Sequence, residues 1–191
     1  INVSTITLTC TLDTPLVFDD DARHAVVDGG FVVAAGSRFL NQTTLKHIKV
    51  SIKVFSNGSM QFTGIKSMLH FMDITDLLFD AVYRSTGRRH RVEDINVCLI
   101  NATIDLRATI PLVKLKAALT DRANVTYEPD KYPGLNIKLP RERDGKHTTC
   151  LVFKTGKCIV TGARQPDDIL GAVHTPVSYT HLRAHETGRN L

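Results

Sequence analysis

The chain has 191 residues, room for one large domain or two small ones, and its 42% hydrophobic and 23% charged residues are those of an ordered globular protein. The scattered 12 Gly and 7 Pro exclude collagen-like and low-complexity classes, and no run of 18 apolar residues offers a membrane-spanning helix. A formal charge of +5, from 24 basic and 19 acidic side chains, permits a nucleic-acid partner without requiring one.

The chain opens on Ile1 rather than Met, which predicts a fragment of a longer reading frame. Residues 3–12 read as a strand leading into a helical stretch. Strict alternation over residues 50–55 puts Val50, Ile52 and Val54 on one strand face and Ser51, Lys53 and Phe55 on the other. Ser56-Asn57-Gly58 then signals a hairpin, because Asn and Gly tolerate positive φ. The returning strand puts Met60 and Phe62 on the first face, with Ser59, Gln61 and Thr63 on the second. Leu69, Met72, Leu77, Leu78, Ala81 and Val82 predict the apolar stripe of a following helix. Further on, residues 97–106 read as a strand, Val113–Leu119 as a helix behind Pro111, and a last helix begins at Gln165-Pro166.

These elements repeat. Ile1-Asn2-Val3 recurs as Ile95-Asn96-Val97, and the frame V-F-x-x-G-x-x-x-x-T-G occurs at Val54–Gly64 and again at Val152–Gly162. The offset grows from 94 to 98, so the second copy carries four extra residues, placed most easily in the charged turn around Asp144-Gly145. The expected organisation is a first repeat over 1–85, a basic linker over 86–94 and a second repeat over 95–173. Beyond it, 174–191 changes character and reads as a non-native, adapter-like tail, which predicts a truncated last helix. Helices must cover one face of each sheet. The other face carries Phe55 and Phe153 among polar residues, either as a binding surface or covered by the linker or a neighbouring copy.

Other features have ordinary readings. Cys10, Cys98, Cys150 and Cys158 include no CxxC pair, and Cys10 and Cys158 fall on core-facing strand positions. His181 and His185 have i, i+4 spacing but lack the Glu of a zinc-binding HExxH, so no metal is expected. Five N-x-S/T triplets are short and frequent motifs, and Asn2 and Asn57 already have places in a strand and a turn. Arg88-Arg89-His90-Arg91 reads as a solvated linker. No nucleophile, base or phosphate-loop constellation is present, so neither an enzyme nor a cofactor is expected.

Tyr127-Glu-Pro-Asp-Lys-Tyr-Pro-Gly-Leu135, followed by Leu151-Val-Phe-Lys-Thr-Gly-Lys-Cys-Ile-Val-Thr-Gly-Ala-Arg164, resembles the second repeat of the TATA-box-binding protein family. The first repeat keeps Asn2, Phe55, Gly58, Thr63 and Gly64, and its Arg38–Thr44 run resembles the divergent members found in large DNA viruses. The resemblance implies an α+β saddle of two pseudo-symmetric repeats, with one curved antiparallel sheet and helices on the convex side. It implies a transcription initiation factor that bends A·T-rich DNA by inserting aromatic side chains into the minor groove. Carried over residue by residue, the inserting pairs are Phe39 with Phe55 and Tyr132 with Phe153. Asn2 and Asn96, with Thr63 and Thr161, would meet the central bases; Leu151 and Ile159 would pack in the groove; Lys157 and Arg164 would contact phosphate. Lys53, Ser59 and Gln61 depart from this pattern and make the first half more polar.

The resemblance further implies a IIB-type factor docking at Glu128 and Asp130, with a IIA-type factor and the RNA polymerase machinery as further partners, in a nucleus or a cytoplasmic viral factory. Two alternatives stay open: an accessory nucleic-acid-binding module of a larger nuclease or repair enzyme, and a protein-binding scaffold that has lost DNA affinity.

Overall fold

The structure, a computed structural model, describes residues 1–34, 41–120 and 123–184. In chain order its elements are β1 (Asn2–Leu12), α1 (Asp20–Asp28), β2 (Val32–Val33), β3 (Gln42–His47), β4 (Val50–Phe55), β5 (Ser59–Ile65), α2 (Met68–Thr86), β6 (Val92–Asp105), α3 (Leu112–Leu119), β7 (Asn124–Thr126), β8 (Leu135–Pro140), β9 (His147–Val152), β10 (Lys157–Ala163) and α4 (Pro166–Ala184). They divide into an N-terminal unit, Thr5–Cys98, and a C-terminal unit, Leu99–Leu191 with Ile1–Ser4. Strand order is β2-β3-β4-β5-β1 in the former and β6-β10-β9-β8-β7 in the latter. The pairings β1–β5, β3–β4 and β4–β5, like β6–β10, β10–β9 and β9–β8, are antiparallel.

Alternation along the strands builds each core. In the N-terminal unit Leu8, Ile52, Met60 and Phe62 are fully buried under α2, where Phe71 meets Phe62 edge-on at 4.9 Å. Edge-to-face contact suits the ring quadrupoles and adds to the area buried. In the C-terminal unit Leu135, Ile137, Cys150, Val152 and Val160 are fully buried, as are Leu119 of α3 and, nearly so, Ile169 and Ala172 of α4. Local chemistry sets the helix ends. Asp19 Oδ1 accepts the Ala22 N–H at 2.9 Å, Ser67 Oγ accepts that of His70 at 3.1 Å, and Gly87 closes α2 in the left-handed conformation.

The two Thr-Gly pairs have the same physical cause. Gly64 and Gly162 sit at φ +87° and +83°. Each lies where the pairing register of its strand shifts, between β5 and β1 and between β10 and β6. A Cβ on Gly64 would collide with the carbonyl oxygen of Lys49, and one on Gly162 would come within 2.8 Å of that of His147. Only glycine fits both the backbone and the space.

Three expectations are corrected. The buried stripe of α2 is Phe71, Ile74, Thr75, Leu78, Ala81 and Val82, whereas Leu69, Met72 and Leu77 are exposed; the sequence reading had merged two helix faces. Strand β6 begins at Val92, inside the stretch read as a linker. The last helix extends past the expected boundary at 173, to Ala184. Ile169, Ala172 and Pro176 are all buried at helical spacing, so the buried stripe of α4 continues past 173.

Gly162→Ala should cost about 1–3 kcal/mol for the left-handed backbone alone, and more for its clash. Gly87→Ala, with φ +66° and nothing within 4 Å, should cost only the backbone part. Urea unfolding of both variants gives the comparison.

Candidate nucleic-acid interface

The strand faces turned away from the helices carry Leu151, Ile159, Thr161 and Thr63 of the predicted site residues. On the C-terminal unit, Leu151 pairs across strands with Ile159, and Ile159 with Thr103 on its other side. Thr149 and Thr161 form the next pair on the same face. Ile159 stays 38% exposed while its strand neighbours Cys158 and Val160 are buried, and Tyr132 in the preceding turn is 46% exposed, so this is an apolar surface open to solvent. Asn2, Thr103, Pro133, Phe153, Lys157 and Ile159 line one cleft of about 890 Å³. Asn2 therefore serves the C-terminal unit, although it belongs to the first repeat of the sequence.

Tyr132 and Phe153 stand together, ring centroids 6.0 Å apart and planes inclined at 60°. The turn before them is tied by the N–H groups of Lys131 and Tyr132, which both donate to the Glu128 carbonyl. Gly134 was missed by the sequence reading. A Cβ there would lie 2.8 Å from Tyr132 Cε1 and 3.1 Å from Phe153 Cε1, so the missing side chain is what lets the two rings close over it. The Pro-Gly-Leu run was the available signal, since a buried glycine without positive φ points to close approach.

The N-terminal unit presents a different surface. Phe55 is half-buried on the same face as Lys53, Gln61 and Thr63, with Lys53 paired across strands to Gln61 and Ser51 to Thr63. The Thr63 hydroxyl donates to the Ser51 carbonyl at 3.3 Å. On β1, Thr9 pairs with Gln61 and its hydroxyl lies 3.4 Å from Cys98 Sγ, two residues past the exposed Asn96. Phe39, the expected partner of Phe55, lies outside the described residues. Between Asp28 and Asp73 the chain carries no acidic residue, while Lys46, Lys49 and Lys53 fall on or between its strands. Six of the ten acidic side chains of this unit fall on α1 and α2, as Asp20, Asp21, Asp28, Asp73, Asp76 and Asp80.

Arg164 is not brought to the cleft. Its guanidinium lies 3.8 Å from Asp144, in a network where Arg141 holds Asp144 at 3.0 Å and donates to the Gly162 carbonyl, and Arg143 holds Asp168 at 2.7 Å. Burial pushes the Asp168 carboxyl up. The N–H groups of Arg164 and Gln165 and the Arg143 guanidinium outweigh it and hold the group below the usual carboxylate range. Sequence spacing could not reveal this, because the partners come from the β8–β9 turn.

The family model described as transcription factor TFIID, or TATA-binding protein, matches residues 94–178. A TATA-box-binding protein-like protein of Acanthamoeba polyphaga mimivirus is 26% identical over 231 aligned positions, covering 90% of this chain and 62% of that protein. The TATA-box-binding protein of Picrophilus torridus is 28% identical over 129 residues, 68% of this chain and 67% of its own. A Pyrobaculum neutrophilum relative reaches 36% over 93 residues, 49% of this chain and 41% of its own. The solved structure of Methanococcus jannaschii TBP superposes with a TM-score of 0.66 at 19% identity, covering 93% of this chain and 98% of that one. Residues 94–178 thus match the TATA-binding protein family, and proteins of that name align with most of the chain. The chain has the same fold, an α+β arrangement of antiparallel strands with four helices among the described residues. The chain spans 62% of the mimivirus relative's length and about two thirds of the Picrophilus one's.

Replacing Gly134 by Ala should separate Tyr132 from Phe153 without unfolding the chain. The sequence contains no Trp and four Tyr, so the change should appear as an altered tyrosine band in near-ultraviolet circular dichroism, with the far-ultraviolet spectrum unchanged. An unaltered band would mean that the rings do not close over this residue.

Proposed function

We propose that the chain is a non-catalytic transcription initiation factor that binds A·T-rich duplex DNA in the minor groove and bends it by aromatic insertion. The observation that carries this reading is the exposed cleft of the C-terminal unit, where Asn2, Phe153, Lys157 and Ile159 converge beside Tyr132. Its chemistry suits a minor groove, which offers few distinguishing donors and acceptors and is read largely through shape and deformability. Apolar Leu151 and Ile159 can lie along sugar edges, and the Phe153–Tyr132 pair is a wedge of the kind that unstacks a base step. The Tyr132 hydroxyl needs a partner at that step, which softens the wedge relative to two phenylalanines. Thr161 would add a polar contact on the C-terminal unit, and Asn96 and Phe55 would be the polar contact and the wedge of the N-terminal unit.

Phe153→Ala should weaken binding to an A·T-rich duplex more than to a G·C-rich one and reduce bending in a fluorescence-transfer assay. Lys157→Ala should weaken binding to both by the same factor and flatten the slope of log affinity against log salt by about 0.9. Equal affinity of the unaltered protein for the two duplexes would leave only nonspecific binding. No binding at all would favour the scaffold reading, to which the polar Lys53–Gln61 row lends itself.

The same reading assigns a partner to the turn at Glu128–Asp130, as a docking point for a IIB-type factor with a basic surface. Lys131 lies 2.5 Å from Glu128, but both are largely exposed, and such a pair is worth too little to resist exchange for a partner's cation. Asp130 is exposed beside it. Glu128→Arg combined with Asp130→Arg should abolish the ternary complex in a gel-shift assay while A·T-rich DNA binding is kept. Unchanged recruitment would remove the assignment. A IIA-type factor and polymerase subunits are further partners on this reading, and a nucleus or viral factory its setting.

A further inference from the structure

The two hairpins that follow the wedge phenylalanines are equivalent in backbone and opposite in charge. Gly58 and Gly156 close them at φ +86° and +83°. The Gly58 carbonyl accepts the Leu12 N–H at 3.0 Å, and the Gly156 carbonyl accepts that of Leu106 at 3.0 Å. Those bonds align Asp13 with Arg107, Ser56 with Lys154 and Ser59 with Lys157.

At the N-terminal unit the group is a carboxylate. Asp13 accepts the Thr14 N–H at 2.8 Å and the Arg91 N–H at 3.0 Å, and faces the Arg91 guanidinium at 3.5 Å. Asp94 stands nearby, accepting from Thr11 at 3.2 Å. At the C-terminal unit three cations line or rim the cleft, Arg107, Lys154 and Lys157, with Asp105 the acidic residue among them. Asp105 spends an oxygen on the backbone, accepting the Arg107 N–H at 2.8 Å. None of the three cations has an ion-pair partner among the described residues.

Arg107 is also held in an unusual way. Its φ is +53°, in the left-handed region that a residue with a Cβ seldom occupies. The Asp105 carboxylate pins that conformation from one side. The Ile110 N–H, bonded to the Lys154 carbonyl at 2.9 Å, fastens the same segment to the hairpin from the other. A long cationic side chain is thus mounted on a fixed backbone at the rim of the cleft, where an unstrained loop would serve if only the turn mattered.

We infer that Arg107, Lys154 and Lys157 form a phosphate clamp for duplex DNA at the C-terminal unit alone, with Arg107 a DNA-contacting residue whose counterpart in the N-terminal unit is Asp13, a carboxylate already paired with Arg91. The inference rests on the DNA-binding reading above and deepens it. Phosphate contacts fix orientation rather than sequence, so a clamp present in one repeat and reversed in the other gives a pseudo-symmetric binder a direction on its site.

The test is a fluorescence-anisotropy titration of the full chain with an A·T-rich duplex over a potassium chloride series. Arg107→Gly keeps the left-handed backbone and removes the charge. It should leave thermal stability equal or higher and flatten the salt slope by about 0.9. Arg107→Lys should restore the slope, and Lys154→Ser, which installs the first repeat's residue, should flatten it by a similar amount. An unchanged slope in Arg107→Gly, or an equal loss in Arg107→Lys, overturns the clamp while the DNA reading stands. Failure of the unaltered protein to bind any duplex overturns both.

Discussion

Burial of one strand face under helices is the constraint on which the rest depends. A pleated strand sends successive side chains to opposite sides, so once Ile52, Met60 and Phe62 are committed to α2, the residues between them are committed to the other side. Lys53, Gln61 and Phe55 are surface residues for that reason. The same holds for Cys150, Val152, Cys158 and Val160, whose burial turns Leu151, Phe153, Lys157 and Ile159 outward. A one-residue slip would exchange the two sets, which makes register the property most worth protecting. The Thr-Gly bulges protect it in both units, because only glycine can take the backbone shape at the shift.

The two units use this common frame for different surfaces. The C-terminal unit keeps an apolar row, a closed aromatic pair and three cations around one cleft. The N-terminal unit replaces the apolar row with Lys53 and Gln61 and carries a carboxylate where its counterpart carries Arg107. Neither change disturbs the core, since every substituted position lies on the solvent face or at a turn. Divergence of this kind is inexpensive for stability and consequential for recognition. It matches the unequal similarity along the chain, where the family model covers 94–178.

Much of this was legible in the residues. Period-two alternation determined which face of β4, β5, β9 and β10 is buried, because transfer of apolar side chains from water acts on every residue of a strand in turn. The recurring V-F-x-x-G and T-G frame determined the repeat, since positive φ and close approach admit few residues other than glycine. Less was legible where elements are short or partners distant. The two-residue β2 and three-residue β7 have no pattern to read, and α2's true stripe could be chosen only once Phe71 had met Phe62.

Tertiary structure alone decided the remaining matters. It drew Asn2 into the cleft of the unit formed by the other end of the chain, and carried α4 on through Pro176. It tied Arg164 to Asp144 instead of leaving it at the cleft, and it joined Arg107 to a hairpin nearly fifty residues away in sequence. The last two share a physical reason. Core formation depends on local periodicity, which a sequence displays directly, whereas a charged or strained side chain is placed by partners that only chain folding brings within hydrogen-bonding distance.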